Sequence, residues 1–324
     1  MKRLPDIDVV LLSWNRSQMT LETVHNLIKQ EDVNLKIWIV DQGSKEEELQ
    51  LLKEATKQYP NVQITELKRN VGVPAGRNIG THLGNAEYTV SIDNDAIFES
   101  SDALKRVVEI FEQEPKIAVV SFRIKNFYTG QDDELSWVYP KTLKSSRDKR
   151  FLTARFVGCG HAIRRQVFEK VGGYDDDLFF YWEEVDFSFR AINLGYQLVY
   201  TPEISVLHKV APEARVRWED QRFYFLVRNA IYINLKYNQD FLKALVLALG
   251  YTVKGFYNFL PLQALRGVVD GIRMYKKLSF KSLGSSLQLT ESARNYVWEH
   301  ETQYRGNLLN RLKSEVFVGL PTRD

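Results

Sequence analysis

Two aspartates spaced two apart, Asp93 and Asp95 in TVSIDNDA, end a run of apolar and β-branched residues. At a strand end, positions i and i+2 fall on one side, so the pair could share a divalent cation or divide the work between metal and sugar hydroxyl. Oxygen donors of this kind favour magnesium or manganese. The same D-N-D pattern also makes Asx turns and helix caps. A second acidic group, Glu183, Glu184 and Asp186, stands in LFFYWEEVDFSFRAINLGY. With residues 182–192 helical, Glu183 and Asp186 share one face and Glu184 turns towards another. The aromatic neighbours Tyr181, Trp182 and Phe187 would strip water from these acids and raise their pKa values towards those of a general base. A helix N-terminus also favours acids through its dipole alone. His208, at the end of PEISVLH, suits either a structural or a ligand role.

Glycines form the other pattern. RNVGVPAGRNIG spaces Gly72, Gly76 and Gly80 by four, which is neither the dinucleotide G-x-G-x-x-G nor a P-loop. The segment offers a tight turn into a helix start with Arg77 beside it, an arrangement suited to a diphosphate. Cys159 and His161 in VGCGHAIRR are conceivable as a nucleophilic pair, but a cysteine between glycines reads more simply as a small residue in a tight place.

The elements that must position these residues follow from hydrophobic periodicity. Short β-branched runs at 9–13, 36–40, 62–66, 88–92 and 118–122 read as strands, and 20–29, 46–58 and 102–112 carry apolar residues at helical spacing. This βαβ alternation predicts an α/β fold with a mostly parallel sheet and helices on both faces. Ligands of such sheets bind beyond the carboxyl ends of the strands. The polar stretch 125–150 is too long for an ordinary connection and is expected to be a flexible or functional loop. Beyond residue 217 the pattern turns mainly helical, which divides the chain into a domain at 1–217 and a helical region at 218–324.

Hydrophobic residues make up 44% and charged residues 26% of the 324 positions, values that exclude disordered, collagen-like and low-complexity classes. The single cysteine excludes an internal disulfide framework and predicts a reducing compartment. The apolar run after MKRLPDID is too short for a secretory leader, so a cytoplasmic protein is expected. Charge is nearly balanced overall at net +3, yet residues 236–281 hold eight Lys/Arg against two Asp. That block also contains ALVLALGYTV and GFYNFLPLQAL, each well short of the roughly 20 apolar residues a spanning helix needs. Helices lying on the inner face of the cell membrane would explain it, with Lys243, Lys254, Arg266, Arg273, Lys276 and Lys277 towards acidic headgroups. A hairpin packed on the main domain or at a homodimer interface would explain it as well. No nucleic-acid partner is expected.

The order of these motifs resembles that of the inverting nucleotide-sugar glycosyltransferases of family 2, which have the GT-A fold, and in particular their rhamnosyltransferase-like and galactofuranosyltransferase-like members that build bacterial surface glycans. The resemblance runs from about residue 6 to 234, through SWNR, IVDQGS, NVGVPAGRNIG, the DxD-like IDND, the segment from GCGHAIRRQVFEKVGGYDDD to PEISVLH, and YFLVRN. It implies a Rossmann-like nucleotide-binding domain and a UDP- or dTDP-linked donor. Ser13, Asn15 and Asp41 would hold base and ribose, with Asn70 and Arg77 near the diphosphate. Asp93, with Asn94 beside it, would sit by ribose and metal. Asp95 and His208 would complete the site for Mn or Mg. Glu184 matches the general base, with Glu183 and Asp186 orienting it or holding acceptor hydroxyls. Trp182 would stack on an acceptor sugar approaching over the 125–150 loop and the turn that contains Gly160 and His161.

Two departures from the family pattern matter. The base motif reads EE rather than ED, so which glutamate acts stays open. Arg217-Trp218 lacks the preceding glutamine of processive synthases, which implies single-sugar addition to a saccharide or lipid-linked acceptor. A sugar nucleotidyltransferase would need a glycine- and lysine-rich signature where SWNRSQM stands; a catalytically silent glycan- or partner-binding relative would keep the fold without turnover.

Overall fold

The computed structural model describes residues 4–209, 221–238, 240–281 and 288–306. The expected domain boundary at 217/218, with Arg217 and Trp218, lies outside them. Strands and helices alternate as β1 (Asp6–Ser13), α1 (Ser17–Leu27), β2 (Asn34–Asp41), α2 (Glu46–Thr56), β3 (Val62–Glu66), α3 (Val73–Leu83) and β4 (Tyr88–Ile92). There follow β5 (Ala96–Phe98), α4 (Ala103–Gln113), β6 (Ile117–Asn126), β7 (Phe151–Thr153), β8 (Gly160–Arg164), α5 (Arg165–Val171), α6 (Glu183–Asn193) and β9 (Gln197–His208). The C-terminal part is helical: α7 (Phe223–Asn238), α8 (Phe241–Tyr257), α9 (Pro261–Lys281) and α10 (Glu291–His300).

The strands form one sheet in the order β3-β2-β1-β4-β8-β6-β9-β5, with β7 on β9. β3, β2, β1 and β4 are parallel, and in register Ser13 lies opposite Asp41. Their carboxyl ends therefore share one edge. β8 then runs antiparallel to both β4 and β6, placing Gly160 opposite Ile92. That reversal brings the start of β8 to the same edge as the end of β4. β9 is parallel to β6 and antiparallel to β5, so His208 lies opposite both Asn126 and Ala96. Residues from β1, β2, β4, β5, β6, β8 and β9 thus converge on one rim.

Apolar side chains on both faces of the sheet form the core. Helix α4 shows how the sequence builds it, because Leu104, Val107, Val108 and Phe111, at i, i+3, i+4 and i+7, are all buried. Asp8, fully buried in β1, accepts hydrogen bonds from Trp38 Nε1 (2.8 Å) and Ala86 N (2.7 Å) and pairs with Arg165 (2.8 Å), so its charge is compensated.

The 125–150 segment, expected to be a flexible loop, makes specific contacts to the sheet. Arg123 bridges Asp132 (2.6 Å) and Asp148 (2.7 Å), and Arg147 joins Asp132 (2.9 Å). Tyr139 is buried and donates to Ser121 Oγ at 2.6 Å. Alternating charge and aromatic anchoring, spread over a stretch without periodicity, hold it on the sheet.

Candidate functional site

The rim over β1 and β2 is built from turns whose polar groups are satisfied internally. Asp41, buried at the end of β2, accepts hydrogen bonds from Gly43 N (3.2 Å) and Ser44 N (3.0 Å) and from the Ser44 hydroxyl. Gly43 has φ +75°, and a Cβ there would lie 2.9 Å from the Arg69 backbone, so only glycine fits. Asn15 donates its backbone N–H to Ser44 Oγ (2.9 Å) and accepts from Lys45 N (2.8 Å). Ser13 lies 3.2 Å from Thr20 through their hydroxyls, Asn94 donates to Thr20 Oγ1 (3.0 Å), and Asn70 accepts from Gly72 N (2.8 Å). These expected donor-binding residues lie along one edge of the sheet, their side chains tied to one another and to the turn backbones.

At the end of β4 the expected metal residues gather with one addition. Donor atoms of Asp93, Cys159 and His208 all lie within 4.8 Å of one another. Asp95 adjoins them through His208, with Oδ1 3.4 Å from Nε2, while its other oxygen meets Arg16 at 3.4 Å. The second imidazole nitrogen of His208 is 3.3 Å from Asp133. Burial raises the Asp93 carboxyl above its usual range, Arg77 opposes the rise and Asp95 adds to it. Burial also pushes the Cys159 thiol up to about 11, against the influence of His208. For His208, burial disfavours the charged ring, but Cys159, Asp133 and Asp95 outweigh it and hold the imidazole well above its ordinary range. Carboxylate, imidazole and thiol within one ion's reach are a donor set that fits a divalent cation.

Arg77, from α3, is the hub of the other half of the site. Only 4% exposed, it donates to Glu184 Oε1 (3.0 Å) and the Gly158 carbonyl (2.8 Å), and it lies 3.4 Å from Asp93 and 3.8 Å from Glu183. Arg77, expected near a diphosphate, thus stands beside Asp93 with its guanidinium turned onto carboxyl groups of the chain itself. It is enclosed by three carboxylates and positions them. Glu184 is the more accessible glutamate, its side chain 17% exposed against 4% for Glu183. Glu183 Oε2 is buried without a hydrogen-bond partner, and burial together with the charge of Glu184 pushes this carboxyl up to about 8 despite Arg77. Gly158 makes room for Glu184, because a Cβ there would meet Glu184 Oε1 at 2.3 Å.

Other expectations are also corrected. Asp186 is fully buried and faces away from this edge, with Lys236 (2.6 Å) and the Tyr237 hydroxyl (2.7 Å) on one oxygen and Arg190 (2.6 Å) on the other. Despite burial, Arg190 and Lys236 hold its carboxyl below the usual range. It is a clamp between α6 and α7 and not a catalytic group. His161 is fully buried inside β8, one ring nitrogen 2.9 Å from Val157 O and the other 2.8 Å from the Tyr174 hydroxyl; burial and nearby Arg77 keep it neutral. Gly160 is buried in the same strand against Val206, Phe122 and Ile124. Neither can touch an acceptor. Trp182 is half-buried, with the Arg155 guanidinium 5.5 Å over its ring.

The strap that delivers Glu183 and Glu184 has a support the motifs did not announce. Phe179, Tyr181 and Trp182 all have positive φ, between 60° and 72°. Such backbone is unfavourable for aromatic residues and persists only where neighbours impose it. Asn229 of α7, fully buried, shares the two hydrogens of its amide nitrogen among the carbonyls of Leu178, Phe180 and Tyr181, each 2.8–2.9 Å away. Arg228 donates to Asp177 O and Leu178 O, and Phe179 O accepts from Val73 N (2.8 Å) at the start of α3. The RN pair in YFLVRN was visible as a motif, but its bonds to a strap some fifty residues earlier were not. Cys159 was missed as a candidate ligand because its glycine neighbours suggested only a tight turn.

Residues 8–172 match the sequence profile described as glycosyl transferase family 2. The chain is 26% identical over 258 residues to the probable glycosyltransferase YdaM of Bacillus subtilis, covering 75% of this chain and 59% of that protein. It is 26% identical over 203 residues to the beta-monoglucosyldiacylglycerol synthase of Trichormus variabilis, covering 58% of this chain and 41% of that protein. It thus spans roughly two-fifths to three-fifths of the length of these two relatives. Among solved structures, the mannosyltransferase PcManGT of Pyrobaculum calidifontis, in complex with GDP-Man and Mn2+, superposes with a TM-score of 0.58 at 16% identity, covering 94% of this chain and 86% of that one. That likeness establishes the fold, a GT-A architecture.

Proposed function

The chain belongs to glycosyl transferase family 2, and we propose that it moves a single sugar from a UDP- or dTDP-sugar to a hydroxyl of a saccharide or lipid-linked acceptor, inverting the anomeric carbon, in bacterial surface-glycan synthesis. One observation carries this reading: Arg77 joins Glu184 at the start of α6 to Asp93 at the end of β4, so a candidate base and a candidate metal ligand flank one edge. The PcManGT complex supports a nucleotide-sugar donor, and the relative named for a diacylglycerol product supports a lipid-linked acceptor.

The chemistry follows from the positions of the side chains. Glu184 accepts the proton of the acceptor hydroxyl as it attacks the anomeric carbon from the face opposite the leaving diphosphate. Of the two adjacent glutamates it is the accessible one, and Arg77 fixes its carboxylate. Glu183, buried beside it with a raised pKa, keeps its proton near neutrality, which spares the site a second negative charge next to the base. Asp93 and His208, with Asp95 adjoining, would hold Mn or Mg, and a softer ion would add the Cys159 thiol. Such an ion, when bound, supplies positive charge against the diphosphate. The satisfied turns after β1 and β2 hold a preformed rim for the nucleoside, so little ordering is needed on binding. A cytoplasmic, membrane-surface location suits an acceptor carried on lipid.

The test is turnover across a panel of UDP- and dTDP-sugars with saccharide and lipid-linked acceptors, with and without manganese, for the native chain and Glu184→Gln. Turnover of one donor should fall by about 10²–10⁴-fold in the variant while the donor still binds. Full activity in Glu184→Gln would remove it as the base. A silent panel with no donor bound would remove the transferase reading for this site.

A further inference from the structure

Helices α8 and α9 present an apolar surface that no other described part of the chain covers. On α8, Leu242, Leu245, Leu249, Val253 and Phe256 recur at steps of three and four, all exposed. On α9, Leu262, Leu265, Val269 and Ile272 do the same, and Phe259 in the turn between the helices is 92% exposed. The opposite side of α8 is apolar too: Ala244, Leu247, Ala248 and Tyr251 pack into the cluster that α7 and α9 form around Phe223, Val227 and Ala264. A helix apolar all round demands cover on both sides.

The charge beside this surface says what the cover is. On these two helices Lys243, Arg266, Arg273, Lys276 and Lys277 are exposed, against two acids, Asp240 and Asp270. Both acids are engaged: Asp240 caps α8 by accepting from Lys243 N (2.9 Å), and Asp270 binds Arg273 (2.9 Å) and the Tyr224 hydroxyl (3.0 Å). Arg266 and Arg273 each follow a member of the α9 apolar row by one position, and both are exposed, as are Lys276 and Lys277. A second copy of the chain would set one strongly cationic face against another. An anionic bilayer complements apolar rows and cationic flanks together. No described helix is long and apolar enough to cross a membrane, so the pair would lie along the surface.

We propose that α8 and α9 dock the protein on anionic lipid, with the two apolar rows in the interface and Arg266, Arg273, Lys276 and Lys277 on the headgroups. This goes beyond the transferase reading and does not depend on it, because vesicle binding can be scored without turnover.

The experiment is flotation of the full chain with phosphatidylglycerol/phosphatidylcholine vesicles and with phosphatidylcholine alone, at low and high salt. The chain should float with the anionic vesicles and several-fold less with neutral ones or in high salt. Leu245→Glu/Leu249→Glu should abolish flotation, and Lys276→Glu/Lys277→Glu should weaken it on anionic vesicles only. These positions are exposed, and an unchanged circular dichroism spectrum and melting temperature would show that both variants fold. Absence of flotation by the native chain overturns the proposal. So does flotation indifferent to both variants. Sedimentation showing a dimer that Leu245→Glu/Leu249→Glu dissociates, with no lipid binding, would assign the surface to a second copy and likewise overturn it.

Discussion

Glu183 holds a proton that it would lose on unfolding. Its pKa in the fold is about 8, against 4.5 for an ordinary glutamate, so between those values the folded chain binds more protons than the unfolded one. Stability contributed by this protonated carboxyl is fully present below about 4.5 and declines as pH rises towards 8. Glu183→Gln should therefore flatten the fall in melting temperature across that window; a variant that tracks the native chain there would show that the carboxyl is already ionised. Cys159 makes a second prediction possible because it is the sole cysteine. Cadmium or cobalt added to the protein should give a thiolate-to-metal charge-transfer band that Cys159→Ser lacks. An identical spectrum in the variant would take the thiol out of the ligand set. The two residues also mark where sequence reading stopped. Glu184 and Asp93 stood out because acids at a helix start and a strand end have a local signature. The Arg77–Glu184 bond joins residues 107 apart, and no spacing rule reports it. His161 misled because flanking glycines look like a loop, whereas it sits in a fully buried antiparallel strand.

The clamp between α6 and α7 sets expectations at the level of whole elements. Asp186 neutralises Arg190 and Lys236 from a fully buried position, and Lys236 also reaches Asp175 at 3.0 Å. Asp186→Ala should cost about 3–5 kcal/mol in denaturant unfolding, since it leaves Arg190 without its carboxylate and buried Lys236 with Asp175 alone. A loss below about 1 kcal/mol would contradict the clamp. The elements themselves were largely legible. The strands expected at 62–66 and 88–92 have those boundaries, and helix α4 is displaced by one residue from the range expected from its apolar spacing. Less legible was the antiparallel insertion of β8 between β4 and β6, on which the meeting of Cys159 with Asp93 depends. Its pattern is a buried strand like any other, and nothing local gives the direction in which it runs. The contacts of the 125–150 segment were not legible for a related reason: they are ion pairs and aromatic contacts without periodicity.

For the whole molecule, a cation bound by residues from separate strands should resist unfolding as a unit. Manganese at a hundredfold excess over its dissociation constant should add about 2.7 kcal/mol and raise the melting temperature, and Asp93→Asn should remove most of that shift. An unchanged melting temperature in the native protein would argue against the site. Finally, α7 touches both ends of the molecule's task. Asn229 holds the strap that leads into Glu184, while Val227 and Leu235 of the same helix pack against the α8–α9 pair. With that pair resting on a surface, Glu184, the proposed base, would stand at a set height fixed by packed side chains. The protein would then measure its acceptors like a depth gauge, favouring those whose free hydroxyl reaches that height and passing over shorter and longer ones of identical chemistry.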